Sequence, residues 1–212
     1  MVSVPYRHNA RQQAVLDLLE RNYRQRSLVH VGAGNAVPLL KDSLWLVVRG
    51  MVKLAALSVH GDELLLGLAG PNEPFGEPLS TVEAYEAVAL TDSDLLCLPC
   101  ADIENSPHLA LALWKATSAR YRQSEALLAL LGLRRVEERV RGFLQLLARD
   151  YGTPCQGGLR LTMRLTHQDI AGALSTTRVT VTRVIGILRD QNVIAFDNER
   201  HLIVLQPQRR AR

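Results

Sequence analysis

Residues 166–189 read THQDIAGALSTTRVTVTRVIGILR and carry the signals of two short helices joined by a tight turn. Thr166, followed three residues later by Asp169, matches a capping box at the start of the first helix. The apolar pattern then breaks, and the hydroxyl of Thr177 can cap a second helix. This stretch therefore predicts a helix-turn-helix.

The second helix separates an apolar face from a polar face. Four apolar residues recur at i, i+3, i+4 and i+7 and form one stripe: Val181, Val184, Ile185 and Leu188. Four side chains lie on the other side, near the N-terminal end: Arg178, Val179, Thr182 and Arg183. Because a recognition helix meets base edges with its first turns, the sequence predicts that this face binds DNA. A helical hairpin whose arginines are only solvated is the alternative.

Charge is distributed unevenly along the 212 residues. Residues 134–212 contain 14 basic and 7 acidic side chains, a net charge of +7, whereas residues 1–133 carry −3. A basic region that contains the helix-turn-helix is the expected footprint of a protein that binds the phosphate backbone. Apolar residues make up 47% of the chain, which is typical of a globular protein.

Neither a membrane anchor nor a secretion signal is visible. No run of eighteen apolar residues occurs, and the opening MVSVPYRHNARQQ lacks the apolar centre of a signal peptide. The three cysteines are an odd number and do not suggest a disulfide framework. We therefore expect a cytoplasmic protein without a membrane partner.

The N-terminal half predicts a small β-structure after one helix. Residues 10–26 predict a short basic helix, and residues 28–98 contain six short apolar or alternating runs separated by turns. One of these turns, His60-Gly61-Asp62, is a good hairpin turn. Several short strands with turn signals at this spacing predict a sandwich or barrel.

A long helix is predicted over residues 107–131, after a short one at 101–105. Trp114, Tyr121 and Leu128 recur along it every seven residues, and a partner row that ends at Leu131 interleaves with them. Such a repeat is typical of a seam between parallel helices, so we predict that these residues form a homodimer interface. Packing of the stripe on the sandwich of its own chain is the alternative. Gly132 ends the run and is the predicted hinge.

The C-terminal region predicts a winged arrangement. A helix at 134–150 precedes a strand at 159–165, the helix-turn-helix and a hairpin that turns at Asp197-Asn198. The predicted class is α+β, with a jelly-roll sandwich (double-stranded β-helix) at the N-terminus, a long dimerisation helix and a C-terminal winged helix-turn-helix. The predicted domains are residues 1–106, residues 107–133 and residues 134–212.

This order of elements resembles the Crp/Fnr family of transcription regulators over essentially the whole chain. The segment LWLVVRGMVKLAALSVHGDELLLGLAGPNEPFGE is similar to the hairpins of the family's effector domain and ends in its Phe-Gly-Glu corner. The segment STTRVTVTR resembles the recognition helix of the cyanobacterial nitrogen-control branch (NtcA type). The resemblance implies a homodimer that binds double-stranded DNA, works with RNA polymerase, and activates or represses according to promoter position.

The resemblance places the base-reading residues at Arg178, Val179 and Arg183. Arginine can bind guanine O6 and N7 in a bidentate manner, and a branched aliphatic side chain contacts a thymine methyl group. The implied operator is palindromic, with half-sites closer to GTA…TAC than to TGTGA. Four residues are candidates for phosphate contacts: Thr166, Gln168, Thr177 and Thr182. Ser175 stands where many relatives have a turn glycine, which predicts mild strain.

The resemblance also implies an effector pocket, with these candidates: Phe75, Gly76, Glu77, Glu83, Tyr85, Ser124 and Arg134. Cyclic-nucleotide-binding relatives have an Arg-Ser pair after the corner, where this chain has Ala84-Tyr85. No lysine or arginine occurs between Lys53 and Lys115. Because a buried phosphate needs a cation, the sequence argues against cyclic AMP.

A similar argument applies to 2-oxoglutarate, the ligand of the nitrogen-control branch. One of its two arginine positions aligns with Glu83, and the other aligns with Arg134 or Arg135. A glutamate at the first position repels a dicarboxylate, so the sequence argues against this ligand too. A different effector, a protein partner and a form that needs no effector all remain open.

Other function classes match parts of the sequence. Cys97 and Cys100 have the CxxC spacing of a redox- or metal-responsive regulator, but no second pair exists, which favours structural cysteines. The six histidines form no HxH, HxxxH or HxxE group, which argues against a jelly-roll metalloenzyme and predicts no metal site. A dimeric interaction module with a vestigial helix-turn-helix is a third possibility. No catalytic constellation is visible, so we expect no enzyme activity.

Overall fold

A computed structural model describes residues 27–59 and 63–205. The helix predicted over residues 10–26 and the turn predicted at His60-Gly61-Asp62 lie outside these ranges. The described residues fall into two compact units. The first lies within Met1–Leu54 and Leu68–Arg122, and the second lies within Ala55–Gly67 and Gln123–Arg212.

The N-terminal half forms seven strands and a 3-10 turn at Glu77–Leu79. The strands are β1 (Val29–Val31), β2 (Ser43–Arg49), β3 (Val52–Leu57), β4 (Glu63–Ala69), β5 (Pro74–Phe75), β6 (Tyr85–Ala89) and β7 (Ser93–Pro99). They build a four-stranded sheet with the order β1–β7–β2–β5 and a three-stranded sheet with the order β4–β3–β6. Six of the seven strands coincide with the apolar runs of the sequence.

One apolar core holds the two sheets together. Trp45 and Val47 of β2 and Leu95 of β7 bury their side chains against Val52 and Leu54 of β3. Trp45 and Val47 are two positions apart, as are Val52 and Leu54, so each pair lies on the same face of its strand. The Trp45 indole Nε1 donates a hydrogen bond of 2.7 Å to the Pro38 carbonyl oxygen, so its polar atom is satisfied inside the core. The predicted sandwich is confirmed.

Strand β5 was not predicted. It has only two residues, and it pairs with β2 through Trp45 opposite Phe75 and Leu46 opposite Pro74. A two-residue strand is too short to produce a periodic signal. Phe75, a predicted effector-pocket residue, is fully buried and belongs to the sandwich core.

Two helices follow the sandwich where they were predicted: α1 (Cys100–Glu104) and α2 (Pro107–Leu131). Leu109 and Leu113 of α2 are buried in a second apolar cluster formed with leucines of β2 and β7. That cluster covers the outer face of the four-stranded sheet. No helix within the described ranges is long and apolar enough to cross a membrane.

The predicted seam of α2 faces away from this cluster. Trp114, Tyr121 and Leu128 are 70%, 64% and 70% exposed, and Leu131 is half-buried. An exposed Trp-Tyr-Leu row is unusual on a soluble helix. The stripe therefore does not pack on the sandwich of its own chain, which was the alternative to a dimer seam.

The C-terminal part forms a small helical cluster on a four-stranded antiparallel sheet. Its elements are α3 (Val136–Tyr151), β8 (Gly152–Cys155), β9 (Gly158–Leu161), α4 (His167–Ala173), α5 (Arg178–Asp190), β10 (Ile194–Phe196) and β11 (Leu202–Leu205). The sheet order is β10–β11–β9–β8. The buried side chains of Phe143, Leu174 and Leu188 come from or directly follow α3, α4 and α5. The predicted winged helix-turn-helix is confirmed.

Two details of this sheet differ from the prediction. Strand β9 ends at Leu161, although the alternating pattern predicted a strand to residue 165. Beyond β9 the chain turns toward α4, and Arg164 Nη2 donates a hydrogen bond of 2.9 Å to the Glu199 carbonyl oxygen. Strand β8 was not predicted, because Gly152 and Pro154 have low strand propensity. An edge strand tolerates both residues.

The hairpin turn between β10 and β11 is longer than predicted. The pairing ends at Phe196 opposite Leu202, so five residues form the turn instead of a tight pair at Asp197-Asn198. The turn is closed by the Asp197 N–H, which donates to the His201 carbonyl oxygen at 3.1 Å. Arg200 adopts a positive φ of 62°, which lets the chain reverse.

The second unit also contains the parts of β3 and β4 nearest their connection. Ser124 Oγ, a predicted effector-pocket residue, donates a hydrogen bond of 3.1 Å to the Leu66 carbonyl oxygen. A Cβ atom on Gly172 of α4 would lie 2.9 Å from the Glu63 carbonyl oxygen. The hairpin backbone therefore lies directly against the first helix of the helix-turn-helix.

Candidate DNA-binding interface

Helix α4 begins with the predicted capping box. Thr166 Oγ1 accepts a hydrogen bond of 3.0 Å from the Asp169 N–H, and Asp169 Oδ2 accepts one of 2.8 Å from the Thr166 N–H. The Thr166 hydroxyl also donates to Asp169 Oδ2 at 2.6 Å. Both functions of this hydroxyl therefore serve the cap, and Thr166 positions the helix rather than offering a proton to a phosphate.

The turn between the two helices passes through Ser175. This residue is exposed and has a φ of 48°, a left-handed conformation that glycine adopts most easily. The predicted strain at Ser175 is confirmed. Thr177 then caps α5, since its Oγ1 accepts a hydrogen bond of 3.2 Å from the Thr180 N–H. The two caps fix where each helix starts.

Helix α5 has the two faces expected from the sequence. Its four apolar stripe residues are buried, while Val179 is 78% exposed and Arg178, Thr182 and Arg183 are exposed. Within residues 27–59 and 63–205, neither the Arg178 nor the Arg183 guanidinium makes a hydrogen bond or ion pair. A row of unpaired arginines beside an exposed valine, on the first two turns of a capped helix, suits contact with base edges.

One hydrogen bond joins the helices across this surface. His167 Nδ1 lies 2.8 Å from Thr182 Oγ1, and Thr182 Oγ1 donates to the Arg178 carbonyl oxygen at 2.9 Å. Because the Thr182 proton is used in this way, the histidine must be the donor to Oγ1. His167 and Thr182 therefore hold α4 and α5 together. The sequence signal for His167 is its position directly after the capping threonine.

A depression lies between the N-terminal ends of the two helices. It has a volume of about 390 Å³ and is lined by Thr166, His167, Gln168 and Arg178. The structure thus brings together three of the predicted DNA-contact residues and adds His167. The positive end of the α4 dipole and the Arg178 guanidinium both favour an anion such as a backbone phosphate here.

Comparison with known proteins finds a matching family for each half of the chain. Residues 40–106 match the family model of a cyclic nucleotide-binding domain, and residues 138–209 match that of a Crp-like helix-turn-helix domain. Together with the fold and the exposed face of α5, these matches define the class as a DNA-binding transcription regulator rather than an enzyme. The chain belongs to the Crp/Fnr family.

The relatives confirm the resemblance to the nitrogen-control branch. The chain is 35% identical over 169 residues to the global nitrogen regulator of Synechocystis sp. strain PCC 6803, covering 75% of each protein. It is 32% identical over 181 residues to the regulatory protein CysR of Synechococcus elongatus, covering 84% of each. A Crp/Fnr-family regulator of known structure from Thermus thermophilus matches with a TM-score of 0.67 and 27% identity, over 85% of this chain and 94% of that one.

A second pocket lies in the sandwich unit. It has a volume of about 420 Å³, and its wall includes Lys41, Glu77, Glu83 and Tyr85. The structure therefore brings together three of the predicted effector residues. Gly76 adopts a φ of 145° just before this wall. The wall carries two carboxylates and one ammonium group, which leaves it net negative.

Two predicted effector residues lie outside this unit. Ser124 and Arg134 both belong to the second unit. There the Ser124 hydroxyl donates its hydrogen bond to the Leu66 carbonyl oxygen, and Arg134 is exposed. Phe75 is inside the sandwich core. The predicted effector residues therefore lie in three places: the sandwich core, the wall of this pocket and the second unit.

The sequence analysis missed two cations of the sandwich unit, Lys41 and Arg120. Arg120 Nη1 donates a hydrogen bond of 2.9 Å to the Pro74 carbonyl oxygen. Its Nε is buried and has no hydrogen-bond partner among the described residues. Burial raises the pKa of the neighbouring Tyr85 hydroxyl, an effect that the Arg120 charge and hydrogen bond partly offset.

Helical spacing was the signal that would have identified Arg120. It lies seven residues after the buried Leu113 and seven residues before the buried Leu127, on the inward face of α2. The cation-free stretch between Lys53 and Lys115 ends before this position. Helix periodicity, rather than proximity in sequence, brings this guanidinium to the sandwich.

The CxxC pair does not have the environment of a reactive site. Cys97 lies in β7 opposite Trp45, and Cys100 begins α1. Burial raises the pKa of the Cys100 thiol, and the negative charges of Glu104 and Asp42 raise it further. Since the thiolate is the reactive and metal-binding form, these surroundings favour a structural role.

Proposed function

We propose that this chain is a homodimeric regulator that reads palindromic DNA through Arg178, Val179 and Arg183. The exposed N-terminal face of α5 carries the proposal, because its two guanidinium groups have no partner within the described residues. An arginine held this way can bind the O6 and N7 atoms of guanine, and Val179 can contact a thymine methyl group. Half-sites close to GTA…TAC fit this set of side chains.

The remaining predicted DNA-contact residues fall into two groups: those that can bind a phosphate and those that position the two helices. Gln168 lines the depression beside Arg178, and its amide N–H groups are suited to hold a phosphate. Thr166, Thr177 and Thr182 use their hydroxyl groups within the caps and the contact between helices. We infer that these threonines set the register of the two helices.

Dimerisation through α2 is supported by the exposed row of Trp114, Tyr121 and Leu128. The opposite face of the same helix is already occupied by the sandwich through Leu109 and Leu113. A parallel pair of such helices buries both rows at once. Two-fold symmetry then places the recognition helices in successive major grooves, with half-sites about 34 Å apart.

Regulation is proposed to pass from the sandwich to the DNA-binding region as a population shift. Residues 1–106 act as the sensor, residues 107–133 as the dimer helix and hinge, and residues 134–212 as the DNA-binding domain. The pocket that contains Lys41, Glu77 and Glu83 supports an effector other than a dianion, because its wall is net negative. An effector must bind one conformation more tightly to shift the balance. We place this function in the cytoplasm, with RNA polymerase as partner.

A DNA-binding titration tests the proposal. Fluorescence anisotropy is measured on a duplex with GTA and TAC half-sites one helical turn apart, and on a scrambled duplex of equal length. We expect the palindrome to bind about a thousandfold more tightly. Its affinity should also fall steeply between about 50 and 200 mM salt. Absent or salt-independent binding would indicate an interaction module instead, and equal affinity for both duplexes would overturn the proposed sequence specificity.

A further inference from the structure

The turn between β10 and β11 gathers three metal-ligating side chains at alternate positions. Asp197, Glu199 and His201 each offer one ligand atom, and these atoms lie within 4.8 Å of one another. No other group of three such residues occurs within residues 27–59 and 63–205. The spacing is Asp-x-Glu-x-His, which a search for paired histidines does not detect.

The distances in this group match those between ligands of one ion. His201 Nδ1 lies 3.3 Å from Asp197 Oδ2 and 3.4 Å from Glu199 Oε2. Two ligands that bind a common Zn²⁺ ion at about 2.0–2.2 Å with tetrahedral angles are about 3.3–3.6 Å apart. All three ligand atoms lie within 4.8 Å of one another, so one ion can reach them, and water can complete its coordination on the exposed side.

The backbone of the turn orients the Asp197 carboxylate. Asp197 Oδ1 accepts hydrogen bonds from the N–H groups of Glu199 at 2.9 Å and His201 at 2.8 Å. This leaves Oδ2 facing the imidazole. Burial raises the pKa of the Asp197 carboxyl. The hydrogen bonds and the His201 ring lower it by more, so this pKa lies below its usual value. Ligand orientation by such secondary contacts is common at metal sites.

Arg160 of β9 competes for the same carboxylate oxygen. Its Nη1 lies 3.3 Å from Asp197 Oδ2, and its side chain is 38% exposed. An ion that binds Oδ2 must displace this guanidinium, which can move into solvent because it is partly exposed. Arg160 therefore lowers the metal affinity of the site, and removal of its guanidinium should raise that affinity.

We propose that Asp197, Glu199 and His201 bind a divalent transition-metal ion, and that the bound ion strengthens DNA binding. One imidazole and two carboxylates suit Zn²⁺, Co²⁺ or Ni²⁺ better than Mg²⁺, which prefers oxygen ligands alone. The ion neutralises two carboxylates in the DNA-binding unit and releases the Arg160 guanidinium for phosphate. The effect on DNA rests on the proposed function, whereas binding of the ion does not.

Calorimetric titration of Zn²⁺ into the untagged, chelator-treated full chain tests the site without DNA. We expect one ion per chain, and we expect Glu199→Gln and His201→Gln to weaken this binding at least about tenfold. Arg160→Gln should tighten it, because the competing cation is gone. His30→Gln is the matched control: His30 also pairs with an aspartate, Asp94, at 2.8 Å, but no third ligand among the described residues lies beside it.

Several outcomes would overturn the site. These are the absence of Zn²⁺ binding, equal binding in His201→Gln and the wild type, or weaker binding in Arg160→Gln. Absorption of bound Co²⁺, measured in the same variants, checks that His201 is a ligand. Circular dichroism melts verify that Glu199→Gln and His201→Gln remain folded.

A second arm measures operator affinity with and without Zn²⁺. We expect several-fold tighter binding in the wild type and no change in His201→Gln. An unchanged wild-type affinity, in protein shown by calorimetry to hold Zn²⁺, would overturn the effect on DNA. Failure of the proposed function is distinct, since it abolishes operator binding under both conditions.

Discussion

At the scale of single residues, the interface depends on side chains whose polar atoms are either used inside the protein or left for a partner. Thr166 and Thr177 cap helices, and Thr182 bonds to His167 and the backbone. Arg178 and Arg183 have no such bonds within the described residues. This division separates residues that build the surface from residues that we propose to read DNA.

Replacement of Arg178 by alanine should relax recognition at one base pair. Loss of a bidentate contact with guanine costs about 1–3 kcal/mol of binding free energy. Anisotropy titrations on operators substituted one base at a time measure where discrimination is lost. Arg189→Ala, at the other end of α5, is the control, since Arg189 already contacts Asp190 at 3.6 Å. Equal weakening on every operator would identify Arg178 as a phosphate anchor only.

Ser175→Gly should stabilise the protein by about 0.5–1 kcal/mol, because the residue has a φ of 48°, where a Cβ atom is unfavourable and glycine is not. The free energy of unfolding in urea measures the gain. Ser175→Ala keeps the Cβ atom and serves as the control, with no gain expected. A loss of stability in the glycine variant would contradict the predicted strain.

At the scale of elements, helix α2 packs against the sandwich with one face and exposes the other. Leu109 and Leu113 face the sandwich, while Trp114 and Leu128 face outward. Arg120 lies on the inward face and reaches the carbonyl of Pro74. The helical period of 3.6 residues places the side chains that contact the sandwich and the exposed side chains on different faces of α2.

Two helical glycines should respond in opposite ways to alanine. A Cβ atom added to Gly186 of α5 would meet nothing within 4 Å, so Gly186→Ala should raise stability by about 1 kcal/mol through helix propensity. Gly172 of α4 lies against the Glu63 carbonyl, where a Cβ would approach to 2.9 Å. Gly172→Ala should therefore gain nothing or lose stability.

Thermal unfolding of the two alanine variants measures this difference directly. Each serves as the control for the other, because the amino-acid change and the type of element are the same. A similar gain for both variants would mean that the hairpin does not rest on α4 in solution.

At the scale of the whole molecule, the proposed function requires a second copy of the chain. A single recognition helix contacts one half-site, whereas a palindrome needs two related by symmetry. The exposed row on α2 is the surface proposed to join them. In this proposal the sandwich acts on DNA only through its effect on the dimer.

Charge in the dimer row should separate the subunits. Trp114→Glu combined with Leu128→Glu buries like charges across the proposed seam, which destabilises a parallel helix pair. Sedimentation velocity should show a monomer, and operator affinity should fall at least about a hundredfold. Lys115→Glu with Ala129→Glu places the same residues on exposed neighbouring positions and should remain dimeric. A dimeric Trp114/Leu128 variant would exclude this interface.

Addition of 2-oxoglutarate should leave operator affinity unchanged. The sandwich pocket has Glu77 and Glu83 in its wall against one lysine, and like charges repel a dianion. Anisotropy titrations with and without the ligand measure the effect, and a Glu83→Arg variant tests whether the charge is responsible. Strong tightening of the unchanged protein by 2-oxoglutarate would contradict the argument from Glu83.

Local signals in the chain were enough to predict most of the DNA-binding half. Caps depend on residues three apart, so Thr166, Asp169 and Thr177 revealed both helix starts. The buried and exposed faces of α5 followed from helical spacing alone. The apolar runs of the sandwich were equally visible, because strands with one buried face alternate.

Other features depend on pairing and hydrogen bonds that the residue pattern does not show. Strands β5 and β8 exist because Trp45 and Arg160 offer paired partners, and neither strand has a strong pattern of its own. The five-residue turn at Asp197 depends on hydrogen bonds that no tight-turn rule contains. The ligand-like cluster in that turn could not be predicted from histidine spacing.

The sequence by itself determined the helices and most strands of both halves and the proposed DNA-reading face, since these follow from patterns of residues close along the chain. Only the tertiary structure decided that Arg120 serves the sandwich, that Ser124 bonds to Leu66, and that the Glu63 backbone rests on Gly172. These contacts join segments more than forty residues apart. Their geometry depends on how sheets and helices pack, and short-range periodicity contains no information about that packing.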